Sequence, residues 1–333
     1  MTSSDVAVET ARPATSEVQR DVGRGFSLPI DFIFHKTTVV AAFLVGAVLF
    51  ATVIAITYDS WLSIKTFGFG FLFSKEWDPV AQKFGALPFI VGTLVSSTIA
   101  MVLAIPISFG IAVFIAEIAP SWIKAPIAAA IELLAAVPSI VYGLWGLLIF
   151  APVFGRFEPF INDHLGAVPG LGVLFRGPPM GIGMLTAGIV LGVMVLPYIS
   201  SIMRDVFVAV PSSLRESAYA IGSTTWEVAW HILLPYTRSA VVGGIFLGLG
   251  RALGETMAVT FVIGNSNTLT PSLLMPGTTI PSVIANEFTE ATTHLYLSSL
   301  IYLGLILIII TLIVRFAAVL LFRTLDRKGG IRT

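Results

Sequence analysis

The chain has 333 residues, 56% of them hydrophobic and only 11% charged, and its 19 basic and 19 acidic residues cancel. Water-soluble globular chains carry about 25% charged residues, so the solvent for most of this chain is lipid. The even, dispersed charge speaks against a nucleic-acid partner, and with no cysteine the chain has no disulfides, thiol catalysis or thiolate metal site.

In chain order, residues 1–36 are polar and read as a disordered cytoplasmic tail. No cleavage site follows a short apolar core, so no removable signal peptide is expected. Six largely uncharged runs follow at 38–57, 88–116, 126–150, 184–203, 239–263 and 297–315. Each is about 20 residues or longer, enough to cross about 30 Å of hydrocarbon as a helix. The expected fold class is therefore all-α integral membrane, with six transmembrane helices in a domain over 37–323 and a second cytoplasmic tail over 324–333. Lysine and arginine divide 13 to 5 between the two sets of connections, which predicts a multi-pass protein with both termini cytoplasmic. The opposite loops, 58–87, 151–183 and 264–296, are rich in Gly, Pro and aromatics, with Trp61 and Trp77 suited to interfacial anchoring. Pro106, Pro138 and Pro197 fall inside spans and predict kinks. Glu132, near the cytoplasmic end of the third span, is placed either to pair with a basic residue or to reach the interface. The four histidines lack metal-ligand spacing, so no metal site is expected.

The longest cytoplasmic connection, 204–238, has the pattern of two short helices. Ser213 and Glu216 have capping-box spacing and Gly222 supplies a left-handed stop; Thr224 and Glu227 repeat the box, and Pro235 is expected to end the second helix at Leu234. The apolar residues Leu214, Ala218, Tyr219, Trp226 and Ile232 need a covering partner. Glu216, Ser217, Ala218, Gly222, Ile232, Leu234 and Pro235 together resemble, in every spacing, the EAA loop of ATP-binding-cassette (ABC) importer permeases. One departure is Ser217, where the family pattern has a second alanine. The resemblance implies a coupling helix seated in a cleft of an ATPase subunit. Consistent with a separate ATPase, the chain has no Gly-x-x-x-x-Gly-Lys-Ser/Thr phosphate cradle.

The fifth span carries Arg251 and Glu255 about halfway along an apolar run. Each costs about 2.5–3.5 kcal/mol at a helix centre in lipid, so both should face protein or water. Four-residue spacing puts them on one face, where an intrahelical pair is one role. The other is a pathway role: Arg251 offers planar donors to an oxyanion and Glu255 neutralises it between cargoes. Gly244, Gly248, Gly250 and Gly254 would let another helix approach closely, as where two permease halves meet.

Residues 251–259 (RALGETMAV), 85–93, 104–117 and 132–146 resemble the phosphate-specific permeases of that family, the C-type subunits in particular, over about 85–323. The likeness implies the permease fold of ABC importers in the bacterial inner membrane. It also implies a related second permease subunit, two copies of a cytoplasmic ATPase that binds the ATP and Mg, and an extracytoplasmic phosphate-binding protein. This chain would hold no cofactor and make no covalent bond. Sulfate or molybdate as cargo stays open, because the EAA loop reports on the ATPase and not on the cargo. A gradient-driven secondary transporter would need intramembrane acid or histidine relays and no docking loop.

Overall fold

The computed structural model describes residues 29–328, with side chains over 32–320. The chain divides into two units, 1–55 and 56–333. In the first, the described residues belong to helix α1 (Pro29–Asp59), which is apolar on every side, as lipid requires. Its start corrects the expected tail: 29–36 are helical, while 1–28 lie outside the described residues.

The second unit continues through α2 (Trp61–Phe67), α3 (Gly70–Phe73), α4 (Leu87–Val113), α5 (Ser121–Ala136), α6 (Ser139–Trp145) and α7 (Ala151–Leu165). It then runs through α8 (Met184–Val208), α9 (Ser212–Ala220), α10 (Thr225–Val228), α11 (Leu234–Leu253), α12 (Met257–Val262), α13 (Ile280–Glu287) and α14 (His294–Lys328). The last helix takes in 324–328, which sequence placed in a tail. Among the described residues six helical stretches are long and apolar enough to cross a membrane, and there are no strands.

Prolines decide where these helices bend or stop. Wide π-turns occupy Phe114–Ile118, Gly146–Phe150 and Ala229–Leu233, and each ends two residues before a proline: Pro120, Pro152 and Pro235. A proline lacks the N–H donor and crowds the carbonyl four residues back, and local widening relieves both problems. Pro235 therefore does not stop the second loop helix. The chain stays helical from Thr225 to Leu253, so the loop and the fifth span form one rod.

Pro138 does more than kink. It drives Val137 to extended backbone (ψ 130°), separates α5 from α6, and moves the third span from the expected 126–150 to Ser139–Leu165. The carbonyl that loses its usual donor to this proline is that of Leu134, and it accepts instead from the Val137 N–H at 3.2 Å and the Tyr142 hydroxyl at 2.8 Å. Pro106 and Pro197 stay within α4 and α8.

The core joins α4, α8 and α11. Hydrophobic burial does not drive helices together inside lipid, so close contact and interhelical hydrogen bonds must. Ala100 and Ala104 of α4 and Leu191, Met194 and Val195 of α8 are buried, and the Ser108 hydroxyl donates across to the Leu196 carbonyl at 3.0 Å. Gly244 and Gly248 bring α11 onto α8: a Cβ at Gly248 would lie 2.6 Å from Ile199 Cγ1 and one at Gly244 2.7 Å from Ile202 Cγ2. Two of the four glycines read as an inter-subunit contact thus pack within the subunit, while Gly250 faces open space.

A second cluster collects Phe71, Phe84, Phe89, Val283, Tyr296 and Leu300. The Glu287 carboxylate ties it together by accepting from Trp77 Nε1 (2.7 Å), the Tyr296 hydroxyl (2.6 Å) and Asn267 Nδ2 (3.0 Å). Trp77, expected as an interfacial anchor, is half-buried in this network.

Candidate functional site

The loop 204–238 carries helix α9 and the first turns of the rod Thr225–Leu253, and local chemistry sets the end of the one and the start of the other. Helix α9 follows extended Pro211, whose ring suits the residue just before a first turn, and no side chain caps it; Ser213 sits inside the helix, so the expected Ser213–Glu216 box is not formed. The stop is as expected. Gly222 has φ +93°, its N–H reaches the Tyr219 carbonyl at 3.0 Å, and the Ser223 N–H reaches that of Ala218 at 3.1 Å. This is the Schellman arrangement. Thr224 and Glu227 form the second box reciprocally, the Thr224 N–H donating to Glu227 Oε2 at 2.7 Å.

The motif residues divide between interior and surface. Ala218 is buried, and Ile232 and Leu234 pack against the core, so they fix the loop to the membrane helices. Glu216, Ser217, Gly222 and Pro235 are exposed. Around them lie Ile221, 85% exposed, and Trp226, 63% exposed, stacked on Trp230 at 5.6 Å. Ile221 is an exposed apolar residue that sequence reading passed over, because a lone isoleucine beside a helix-ending glycine carries no periodic signal. A Cβ at Gly222 would meet nothing within 4 Å, so this glycine leaves space above the surface. Gly222→Leu should leave membrane insertion intact, since the left-handed backbone costs a non-glycine residue about 1 kcal/mol, yet weaken ATPase retention on an affinity column at least ten-fold. Full retention would show that the space is not used.

At its C-terminal end α8 is braced by Arg204, whose Nη2 meets Glu132 Oε1 at 2.9 Å and Asp205 Oδ1 at 2.6 Å. Of the two roles open to Glu132 from sequence, pairing with a basic residue or reaching the interface, the structure has the first.

Arg251 and Glu255 do not lie on one continuous helix. α11 ends at Leu253, and Gly254, Glu255 and Thr256 form a break before α12. Glu255 Oε1 accepts from the Ala258 N–H at 3.2 Å, so this carboxylate caps α12, as Asp and Glu do at helix N-termini. No ion pair joins it to Arg251 among the described residues. At the break Gly254, a weak helix former, keeps an ordinary backbone (φ −94°), and the Glu255 carboxylate caps the next helix. Arg251 is exposed and instead lies over the Tyr198 ring, its Cζ 5.7 Å from the centroid. Tyr198 had no sequence signal, since only the packing of α8 on α11 brings it there. The site therefore presents an accessible guanidinium on an aromatic face beside a helix start. That arrangement suits a planar or tetrahedral oxyanion.

Six membrane-long helices, a break in the fifth beside an exposed arginine, and a capped loop with exposed apolar side chains define an integral membrane protein with a surface open to a partner. Residues 108–328 match the family model described as binding-protein-dependent transport system inner membrane component, and the chain belongs to that family. It is therefore a multi-pass inner-membrane permease. It is 51% identical over 331 residues to the phosphate transport system permease protein PstC of Xylella fastidiosa, covering 99% of this chain and 100% of that one. The protein of the same name from Pasteurella multocida is 52% identical over 302 residues, 90% of this chain and 94% of that one. A bacterial alginate ABC transporter solved with its alginate pentasaccharide-bound periplasmic protein shares the fold, with TM-score 0.50 at 14% identity over 85% of this chain and 94% of that chain.

Proposed function

We propose that this chain is the permease subunit of an ATP-driven importer of inorganic phosphate, providing one side of the translocation pathway. The observation that carries the reading is its full-length likeness to permeases named for phosphate transport. Arg251, accessible at the break in the fifth span, supplies the chemistry: a permanent cation whose planar donors pair with two oxyanion oxygens at once. Glu255 holds the adjacent helix start in place. Tyr198 shelters the guanidinium between cargoes.

The working assembly in this reading has a related second permease subunit, two copies of a cytoplasmic ATPase holding ATP and Mg, and an extracytoplasmic phosphate-binding protein. The chain itself carries no cofactor and breaks no bond. Glu216, Ser217, Gly222 and the exposed Ile221 and Trp226 meet the ATPase, and the rod Thr225–Leu253 carries the movement to Arg251. The test is uptake by the whole complex in liposomes. ATP-dependent entry of phosphate, with sulfate and molybdate excluded, is expected. ATP-dependent entry of either of those in place of phosphate would overturn the assignment.

Both termini and the loop 204–238 face the cytoplasm in this reading, on the 13 to 5 division of basic residues. Ser212→Cys should resist an impermeant thiol reagent added outside intact cells while Asn267→Cys reacts, on a background with no native cysteine. The reverse labelling would invert the topology.

A further inference from the structure

The second span ends on a charged residue that the pathway and the docking surface leave unused. Glu117 lies in the π-turn Phe114–Ile118 that prolongs α4, and its side chain is only 6% exposed. Its carboxylate is held from the coupling loop. Arg215 Nη1 donates to Oε1 at 3.1 Å and the Tyr219 hydroxyl donates to Oε2 at 3.1 Å. Arg215 and Tyr219 are one helical turn apart on α9, so they grip the carboxylate as a pair. On the other side of the turn, the Lys124 ammonium donates to the Ala116 carbonyl at 2.9 Å and fixes the backbone.

We infer that Glu117, Arg215 and Tyr219 form the joint through which the coupling helix α9 moves the second membrane span, and that they position the transport machinery instead of touching cargo or nucleotide. Three observations favour a joint over simple glue. Glu117 bonds only to α9 side chains among the described residues, so whatever displaces α9 pulls on α4 through this point. The Arg215 Nε is buried without a hydrogen-bond partner, and a buried ion pair left incompletely satisfied is a poor way to gain static stability. The attachment point is also a π-turn, a widened segment of helix that tolerates changes of register. Burial raises the Tyr219 pKa above the ordinary tyrosine value, with the Thr225 side chain opposing and the Glu117 carboxylate adding to it, so the hydroxyl stays a donor. From α4 the displacement passes to α8 through their tight contact and the Ser108–Leu196 bond, and α8 carries Tyr198 beneath Arg251.

This inference rests on the importer reading, and the experiment separates the two. The full complex in liposomes is assayed for ATP hydrolysis and phosphate uptake in parallel, and uptake by the native complex tests the importer reading by itself. Glu117→Gln keeps the shape but removes the charge. It should keep hydrolysis within about two-fold while cutting phosphate moved per ATP at least ten-fold. Arg215→Gln should do the same, and Glu117→Arg combined with Arg215→Glu should restore at least a third of the native ratio. A purely structural role would lower hydrolysis and uptake together and leave the ratio alone. Should the charge variants fail to insert, Glu117→Cys with Arg215→Cys gives a second readout, because a short bis-maleimide bridging the two cysteines should recover the coupling that the unbridged pair lacks. An unchanged ratio in Glu117→Gln, or no recovery on bridging, overturns the inference.

Discussion

Arg251→Ala should reduce ATP-driven phosphate uptake on the order of 100-fold while the complex still assembles and hydrolyses ATP. The magnitude follows from the chemistry: a charge-assisted pairing contributes about 1.5–3 kcal/mol, and an anion in a low-dielectric passage has no water to replace it. Assembly should survive because Arg251 is exposed and unpaired with any acid among the described residues, so its removal strands no buried partner. Arg251→Lys should recover part of the rate, since the charge returns without the planar fork. Glu255→Gln now probes something different from a broken ion pair. Glutamine keeps an oxygen to accept from the Ala258 N–H, so α12 stays capped and any loss of transport reports the charge. Tyr198→Leu removes the aromatic face and should lower uptake by a few-fold, in line with a cation–π contact of about 0.5–2 kcal/mol. Native uptake by Arg251→Ala, measured on complexes verified to hold all subunits, would take Arg251 out of the pathway.

The comparison of residues with structure shows which signals survive translation into three dimensions. The spans were legible because twenty apolar residues leave the backbone no alternative to a helix in lipid, and Gly222 and the Thr224–Glu227 box were legible because capping is local. Local rules also misled. Ser213 and Glu216 have box spacing, yet Pro211 is the N-cap, two residues earlier, and leaves Ser213 in the helix. Pro235 reads as a stop, but the preceding π-turn absorbs it, whereas Pro138 reads as a kink and makes a full break. The difference lies in what repairs the backbone: at Pro138 the Leu134 carbonyl is taken up by the Val137 N–H and the Tyr142 hydroxyl, the second a contact invisible to spacing. Arg251 and Glu255 stand out as costly charges in an apolar run, but the break at Gly254–Thr256 that separates them carries no sequence pattern, since Gly254 keeps an ordinary backbone there. Glu117 and Tyr198 act only through partners 98 or more residues away, or on a neighbouring helix, which pattern alone does not reveal.

Gly92→Ala should destabilise the isolated subunit strongly, while Gly250→Ala, the same chemical change in another membrane helix, should leave it unchanged or slightly stabilised. A Cβ at Gly92 would sit 1.9 Å from the Thr278 carbonyl oxygen and 3.0 Å from its carbon. The obstacle is backbone, so no side chain can rotate away, and α4 or the segment before α13 must move. That movement breaks a second feature: the Thr93 hydroxyl accepts from the Ile280 N–H at 2.9 Å and donates to the Phe89 carbonyl at 2.8 Å, anchoring the first turn of α13 to α4. Overpacking costs about 1–3 kcal/mol and a stranded buried N–H about 1–3 kcal/mol more, so a loss of several kcal/mol is expected. Gly250 has nothing within 4 Å of its missing Cβ, and alanine there gains about 0.5–1 kcal/mol of helix propensity. Thermal denaturation of the purified subunit in detergent, followed by tryptophan fluorescence, should show Tm falling by many degrees for Gly92→Ala and holding or rising for Gly250→Ala. Equal Tm values for the two variants would mean that the α4–α13 contact is looser than the 1.9 Å approach implies. A fall confined to Gly250→Ala would place a close neighbour against α11 at that glycine.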